Sequence, residues 1–407
     1  MAITAALLGA GGRGFYSYAP YADLHPEKLT FVAVAEPKKH LLKAFAQQYD
    51  VPKEGQFGSW KDLLALPPVA DCIMICTQDD MHYEPCMKVI AQGYKYILIE
   101  KPISPSQNEC EEIARFAREK GATVMVCHSL RYTPFYRQIK KIIDNGTIGD
   151  VIHIDQTESV GFFHHAHSFV RGDWNVKEES APMILAKCCH DLDILLYLTG
   201  KTAKTISSFG DLIHFKSENA PKGAPKHCVS GCPAQADCPF YAPRIYMSIA
   251  PYFKELACEK EGFTDLHIAL KKGRYGRCVY KCGANVVDHQ VVNIRFGDET
   301  TAALTMIAYT AHTKRDTRVF GTRGEIVGCM EDNKITVHEF VTGKVTEYHI
   351  ETNSSMHAGA DEIMMGEFVQ VVSGQIPCPS EIDHSIQSHA MAHAAEKSRL
   401  ELSTVTL

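Results

Sequence analysis

Apolar and polar positions change their grammar once along the chain. From Met1 to about Val126, short apolar runs alternate with stretches of helical period. Thr4–Leu8, Leu29–Ala35, Cys72–Cys76, Tyr96–Ile99 and Thr123–Val126 are apolar at odd and even positions alike, as strands covered on both faces are. Lys38–Tyr49, His82–Gln92 and Ser106–Lys120 between them read as amphipathic helices. That alternation predicts a parallel sheet wound on both sides. After Pro134 the order differs. A helix at about Phe135–Asn145, a strand at Val151–Gln156 and a helix at Pro182–Leu198 precede a long irregular stretch, residues 216–283. The β-rich runs Val286–Phe296, Thr301–Ala308, Arg318–Gly321, Glu325–Val327, Lys334–Glu339 and Lys344–His349 then follow in succession, and helices at Asp361–Val372 and Ser385–Leu400 close the chain. The fold class expected is α/β: a doubly wound domain over residues 1–126, then an α+β domain over 127–407 with a large open, mainly antiparallel sheet and a cysteine-containing insertion at about 216–283.

Composition narrows the class. A chain of 407 residues is long enough for two domains, and 45% apolar against 22% charged residues is ordinary for a globular protein. A net charge of −6 without a basic stripe gives no footprint for nucleic acid or an anionic membrane, and no apolar stretch is long enough to cross a bilayer. The start, Met1 to Gly9, lacks the charged segment of an export signal and reads as a first strand. A cytoplasmic location is the expectation, with the 15 cysteines reduced or bound to metal.

The first chemistry lies directly after the first strand. Gly9-Ala10-Gly11-Gly12-Arg13-Gly14 matches G-x-G-x-x-G. The first glycine permits the tight turn, the second lets backbone approach a pyrophosphate, and the third allows close helix–strand packing. Glu36, at the end of the second strand, is spaced to bind both adenosine ribose hydroxyls and to repel a 2′-phosphate, so NAD is expected over NADP. Lys38 and Lys39 soften that preference.

Three further segments carry a resemblance: Cys76-Thr77-Gln78-Asp79-Asp80-Met81-His82, Glu100-Lys101-Pro102 and Cys188-Cys189-His190-Asp191-Leu192-Asp193. In that order and spacing, with the later Gly321-Thr322-Arg323-Gly324 and Gly359-Ala360-Asp361, the chain resembles the glucose–fructose oxidoreductase, inositol dehydrogenase and MocA-like family over nearly its whole length. The resemblance implies a Rossmann domain followed by an open-sheet domain, a homodimer or homotetramer, and action on carbohydrates or cyclitols. It implies Lys101 as the active-site lysine and His190 as the histidine facing it. Thr77, His82 and Glu100 fall where the family contacts the cofactor. The chemistry is coherent, because a polyol carbon gives up hydride only as its hydroxyl loses a proton, and a lysine–histidine pair can take that proton.

One position departs from the pattern. The family usually has an aspartate four residues before the histidine; here Ala186 stands there, with Lys187 beside it. Lys187, His190 and Asp191 are spaced to share one helix face, a cationic arrangement that suits an anionic substrate or a step needing an extra acid. Lys187 and Asp191 therefore join Lys101 and His190 as catalytic candidates. Two functions are weighed: NAD-dependent hydride transfer at a ring hydroxyl of a sugar, sugar acid or cyclitol, and glycoside cleavage through transient oxidation, elimination and re-reduction on bound NAD.

Substrate contacts are expected from the run Phe162 to Asn175. On an extended strand His165 and His167 point to one side; Arg171 would clamp an anion and Trp174 stack on a sugar face. A loop with chance histidines, or a metal site, is the competing reading. Arg131 and Tyr132 near the hinge are weaker candidates, as are Asp288 and Gln290. Finally, Cys228, Cys232 and Cys238, with Cys278 or Cys282 as a fourth ligand, suggest a structural zinc ion. Free thiols are the alternative, and an iron–sulfur cluster fits the spacing less well.

Overall fold

The computed structural model describes residues 2–258, 262–351 and 359–407. The first domain is a six-stranded sheet of β1 (Ile3–Leu8), β2 (Leu29–Ala35), β3 (Gln56–Phe57), β4 (Cys72–Ile75), β5 (Tyr96–Ile99) and β6 (Thr123–Val126). The order is β3-β2-β1-β4-β5-β6, every pairing parallel, so the chain reverses direction of winding between β1 and β4. Helices cover both faces, which is why β4 is buried at all four positions. In such a sheet ligands bind outside the carboxyl ends of the strands at the reversal point.

The second domain holds a nine-stranded sheet. Its strands are β7 (Val151–Ser159), β8 (Ala203–Asp211), β9 (His289–Phe296), β10 (Thr301–Ile307), β11 (Lys314–Gly321), β12 (Gly324–Cys329), β13 (Lys334–Glu339), β14 (Val345–His349) and β15 (Val405–Thr406). They lie in the order β14-β13-β12-β11-β7-β10-β9-β8-β15, antiparallel throughout except for β7 with β10. One face, with Ile154, Leu304, Val292 and Val319, packs under helices including Cys189–Thr199 and Ile382–Glu401. The chain then returns to its beginning. Helix Ala360–Val372 puts Met364, Met365 and Phe368 into the same core as Leu7, Phe15 and Phe45 of the first domain.

Two local expectations change. Residues 162–171 are wound as an α-turn, Phe162–His165, followed by a π-turn, Ala166–Arg171, and not extended, so the alternation of histidine directions does not apply. The helix expected over Pro182–Leu198 is broken: Met183–Ala186 ends, Lys187 and Cys188 turn, and Cys189–Thr199 begins anew. Lys187 and Asp191 therefore share no continuous helix face. The insertion also has its own small core, including Phe215, Phe240, Tyr246 and Leu270.

Candidate active site between the two domains

The site begins at the glycine turn after β1. Gly9 has φ +90°, and a Cβ there would stand 2.5 Å from the Cys76 carbonyl oxygen. Gly14 is equally closed, its Cβ meeting the Gly9 carbonyl oxygen at 2.3 Å. Gly11 and Gly12 differ, because a Cβ on either meets nothing within 4 Å. Bare backbone beside open space is what a pyrophosphate requires. Glu36, buried at the end of β2, accepts the Ala10 and Lys38 N–H groups, both at 2.9 Å. Each carboxylate oxygen pins backbone and keeps a further lone pair for a ribose hydroxyl. Turn and acid together fit the dinucleotide expected from the sequence.

The other cofactor candidates divide. Thr77 is half-buried, its hydroxyl donating to the Met81 carbonyl at 2.8 Å. Arg13 turns away from the glycine turn: Nε donates to Glu100 at 2.9 Å, and the guanidinium forks onto Asp361 at 2.9 and 3.2 Å. The second Glu100 oxygen accepts the Lys101 N–H at 2.9 Å. Burial pushes the Glu100 carboxyl up, but Arg13 and then Lys101 outweigh it and hold the group below its ordinary value. His82 is fully buried with both ring nitrogens against carbonyl oxygens, 2.7 Å from Pro102 and 3.1 Å from Thr77. Arg13, His82 and Glu100 are thus tied into the protein's own hydrogen-bond network. Their polar atoms are taken up by the protein, and they fix the loops on which the site stands.

Lys101 follows β5 and crosses to the second domain, where its Nζ donates to the Ala186 carbonyl at 3.1 Å. Ala186 closes helix Met183–Ala186, and His190 lies in the first turn of the next helix. Between the domains stands a residue that pattern reading passed over. His128, two positions after β6, has its ring centroid 6.0 Å from that of His190 and 6.0 Å from that of His389. It is wholly buried, neither ring nitrogen has a hydrogen-bond partner, and Nε2 is 3.7 Å from Asp193. Burial pushes its pKa down to about 4, against the pull of Asp193. His389 accepts the Ile103 N–H on Nε2 at 2.9 Å while Nδ1 faces the Ser385 carbonyl at 3.0 Å, which makes Nδ1 the protonated nitrogen. Its position at a strand's carboxyl end is the signal that points to His128. His389 is 286 residues from its partner Ile103, and no local pattern reports it.

The cationic face expected at Lys187 and Asp191 resolves into a buried network. Lys187 Nζ is 3.5 Å from Glu158, Glu158 is 2.5 Å from Arg315, and Arg315 Nε is 3.2 Å from Asp191. Asp191 also accepts from Gln156 at 3.0 Å and is fully buried. Burial raises its pKa to about 6 despite Arg315. Asp191 thus faces the sheet, bonded to Gln156 and Arg315, one residue after His190. Lys187 is half-buried, and so is His164, whose pKa burial and then the Lys187 charge push well down.

Most substrate-side expectations are corrected. His165 is fully buried and stacked on Phe169 and Phe215 at 5.6 and 5.4 Å. His167 is sandwiched between Phe253 at 4.1 Å and Tyr275 at 4.5 Å, with Nδ1 3.0 Å from the Tyr246 hydroxyl. Arg171 donates to the carbonyl oxygens of Arg277 and Phe240 at 2.8 and 2.6 Å. All three build the insertion's core. Arg131 forks onto Asp193 at 2.6 Å through Nε and NH2, and the Tyr132 hydroxyl is 2.8 Å from Ser380 Oγ, so this pair clamps the hinge. Asp288 accepts two backbone N–H groups at the insertion's root, and Gln290 bonds Ser208. Trp174 differs: its Nε1 reaches Asp79 at 2.8 Å, a half-buried ring bridging to the loop after β4.

Of the five cysteines weighed for zinc, Cys228, Cys232, Cys238 and Cys278 line one cavity, and Cys282 is not among its lining residues. Among the described residues no group of three or more His, Cys, Asp or Glu is placed to hold a metal ion, so the expected zinc tetrahedron is not formed. Among the described residues, too, no helix is long and apolar enough to cross a membrane.

Comparison with known proteins shows the family of the chain. Residues 3–128 match the model described as oxidoreductase family, NAD-binding Rossmann fold, and residues 140–407 its C-terminal alpha/beta domain. The 2,7-anhydro-N-acetylneuraminate hydratase of Escherichia coli (strain K12) is 27% identical over 37% of this chain and 39% of its own length. The scyllo-inositol 2-dehydrogenase (NADP(+)) IolW of Bacillus subtilis (strain 168) is 31% identical over 33% and 36%. The matched stretches thus span well under half of either relative. An oxidoreductase from Agrobacterium radiobacter, solved in complex with NAD+, L-tartaric acid and magnesium, shares the fold at a TM-score of 0.72 and 14% identity, covering 100% of this chain and 98% of that one. With both halves matched in order, the chain belongs to the Gfo/Idh/MocA oxidoreductase family.

Proposed function

We propose that the protein is an NAD-dependent dehydrogenase acting on a ring hydroxyl of a sugar, sugar acid or cyclitol. The observation that carries this is the reach of Lys101 from the first domain to the Ala186 carbonyl, beside the turn that bears His190. When bound, NAD supplies the hydride acceptor. Gly11, Gly12, Glu36 and Thr77 would hold it, the first two by leaving space and Glu36 through its free lone pairs. Lys101, fixed through one N–H, offers its nitrogen to the substrate hydroxyl and receives its proton, and His190 passes protons to or from solvent. His82 on Pro102 and His389 on Ile103 keep the lysine's loop still, which preserves the alignment that proton transfer needs.

A homodimer or homotetramer is part of the proposal. The outer face of the nine-stranded sheet leaves Phe209 at 56% and Val291 at 39% exposure, apolar surface suited to a second copy. The test is the chain with NAD and a panel of sugars, sugar acids and cyclitols, followed through the absorbance of reduced nicotinamide. Stoichiometric reduction with a panel member is expected, and absence of reduction with every member overturns the proposal. A hydratase name among the relatives favours one second reading, glycoside cleavage without net oxidation. Release of nitrophenol from synthetic glycosides without net reduced NAD would select it.

A further inference from the structure

The insertion contains an unassigned group of thiols arranged by backbone geometry. His227 and Arg277 pair as an antiparallel bridge, the Cys228 N–H bonds the Gly276 carbonyl at 2.8 Å, and the Cys278 N–H bonds the Lys226 carbonyl at 2.9 Å. That register puts Cys228 and Cys278 on one face, diagonally across the bridge, although 50 residues separate them (278 − 228). Gly231, at φ +78°, bends the chain back between Cys228 and Cys232. A tight turn, with the Gln235 N–H on the Cys232 carbonyl and the Cys238 N–H on the Ala234 carbonyl, brings Cys238 to the same place. All four line a single cavity walled by Phe240, Val279 and Tyr280, whereas the Cys282 thiol turns to the Cys278 carbonyl at 3.3 Å.

A second observation concerns charge. Arg171 is only 2% exposed and cannot give up its proton. Its hydrogen bonds go to two neutral carbonyls and, through NH2, to Cys228 Sγ at 3.7 Å; NH1 has no partner. An arginine buried like this requires negative charge nearby. Four thiolates around a divalent ion, or around an iron–sulfur core, carry about −2.

We propose that Cys228, Cys232, Cys238 and Cys278 form a four-thiolate site for a thiophilic metal centre, with Arg171 as its buried counter-charge. The thiols ring the cavity without converging on one point. The occupant is therefore either an iron–sulfur core that spans the ring or a single ion that draws the sulfurs inward. Loading a divalent ion releases the four thiol protons and forms four metal–sulfur bonds, with no change of oxidation state. Such a centre would lock together segments of an insertion whose apolar core is small.

The test uses the full chain, purified without oxygen from cells supplied with zinc in one arm and with iron and sulfide in the other. Metal and acid-labile sulfide are measured, and native thiols are titrated before and after chelation. About one zinc per chain, or iron and sulfide in roughly equal amounts with visible absorption, supports the proposal and identifies the occupant. Retention is expected to disappear in C232S/C238S, to weaken in R171Q and to persist in C329S. Should the double variant fail to fold, the wild-type thiol count decides alone: four additional thiols are expected to react only after chelation. Wild-type protein that holds under about one-tenth of a metal per chain in both arms, with those thiols reactive from the start, overturns the proposal.

Discussion

Two histidine clusters of this protein look alike in sequence and differ in what surrounds them. Around His165 and His167 the neighbours are aromatic rings, Phe169, Phe215, Phe253 and Tyr275. Around His190, His128 and His389 stand an amine, a carboxylate and the backbone of the lysine loop. The first set is core built from flat, polarisable rings. The second lies where the two domains meet: His128 follows β6, His190 opens helix Cys189–Thr199 and His389 stands on helix Ile382–Glu401. Density of histidines in a sequence is thus a weaker sign of chemistry than what each ring meets in the fold.

The comparison is sharpest in activity. We expect His190→Ala to lower kcat by roughly 10²–10⁴-fold with NAD affinity unchanged, while His167→Ala leaves kcat per folded molecule near wild type. Equal losses in both, measured by steady-state kinetics and NAD titration, would erase the distinction. Stability should move the opposite way: His167→Ala loses two stacked rings and about 2–3 kcal/mol in denaturant unfolding, against under about 1 kcal/mol for His190→Ala. Glu36→Ala, which removes the ribose acceptor and frees the Ala10 N–H, should weaken NAD binding roughly 10–100-fold and narrow the preference over NADP by titration calorimetry.

Acid titration separates the clusters less sharply, because both contain depressed groups. Burial holds His128, His165 and His167 near pKa 4, against 6.5 for an ordinary histidine. They are neutral in the fold and take protons near pH 6.5 when unfolded, so the unfolded state binds more protons between these values. The stability they contribute is complete above pH 6.5 and is lost as pH falls toward 4. Melting temperature should drop over that window. The smallest effect is His165→Leu: neither ring nitrogen of His165 has a partner, so the change should raise stability by about 1 kcal/mol and flatten the acid slope. A large destabilisation would show that His165 holds a polar contact.

How much was legible follows from how local each feature is. Leu29–Ala35, Tyr96–Ile99 and Thr123–Val126 match their expected bounds because runs buried on both faces announce themselves residue by residue. β8 carries no signal in the pattern, since Ser208 points inward and Phe209 outward, opposite to what polarity suggests. At the break, Lys187 meets Glu158, itself paired with Arg315, both on distant strands. In the site, the glycine turn, Glu36, Lys101 and His190 stood in short motifs. His128 and His389 matter only through contacts between domains, which spacing along the chain does not encode.

Rapid mixing is the most direct test of the central assignment. Wild type and Lys101→Met, both saturated with NAD, are mixed with the best substrate of the polyol panel while reduced nicotinamide is followed. We expect a burst of reduction in wild type and a burst slowed roughly 10²-fold or more in the variant, at equal NAD occupancy. A variant that reduces NAD as fast as wild type would show that the amine reaching the Ala186 carbonyl holds the domains together and moves no proton.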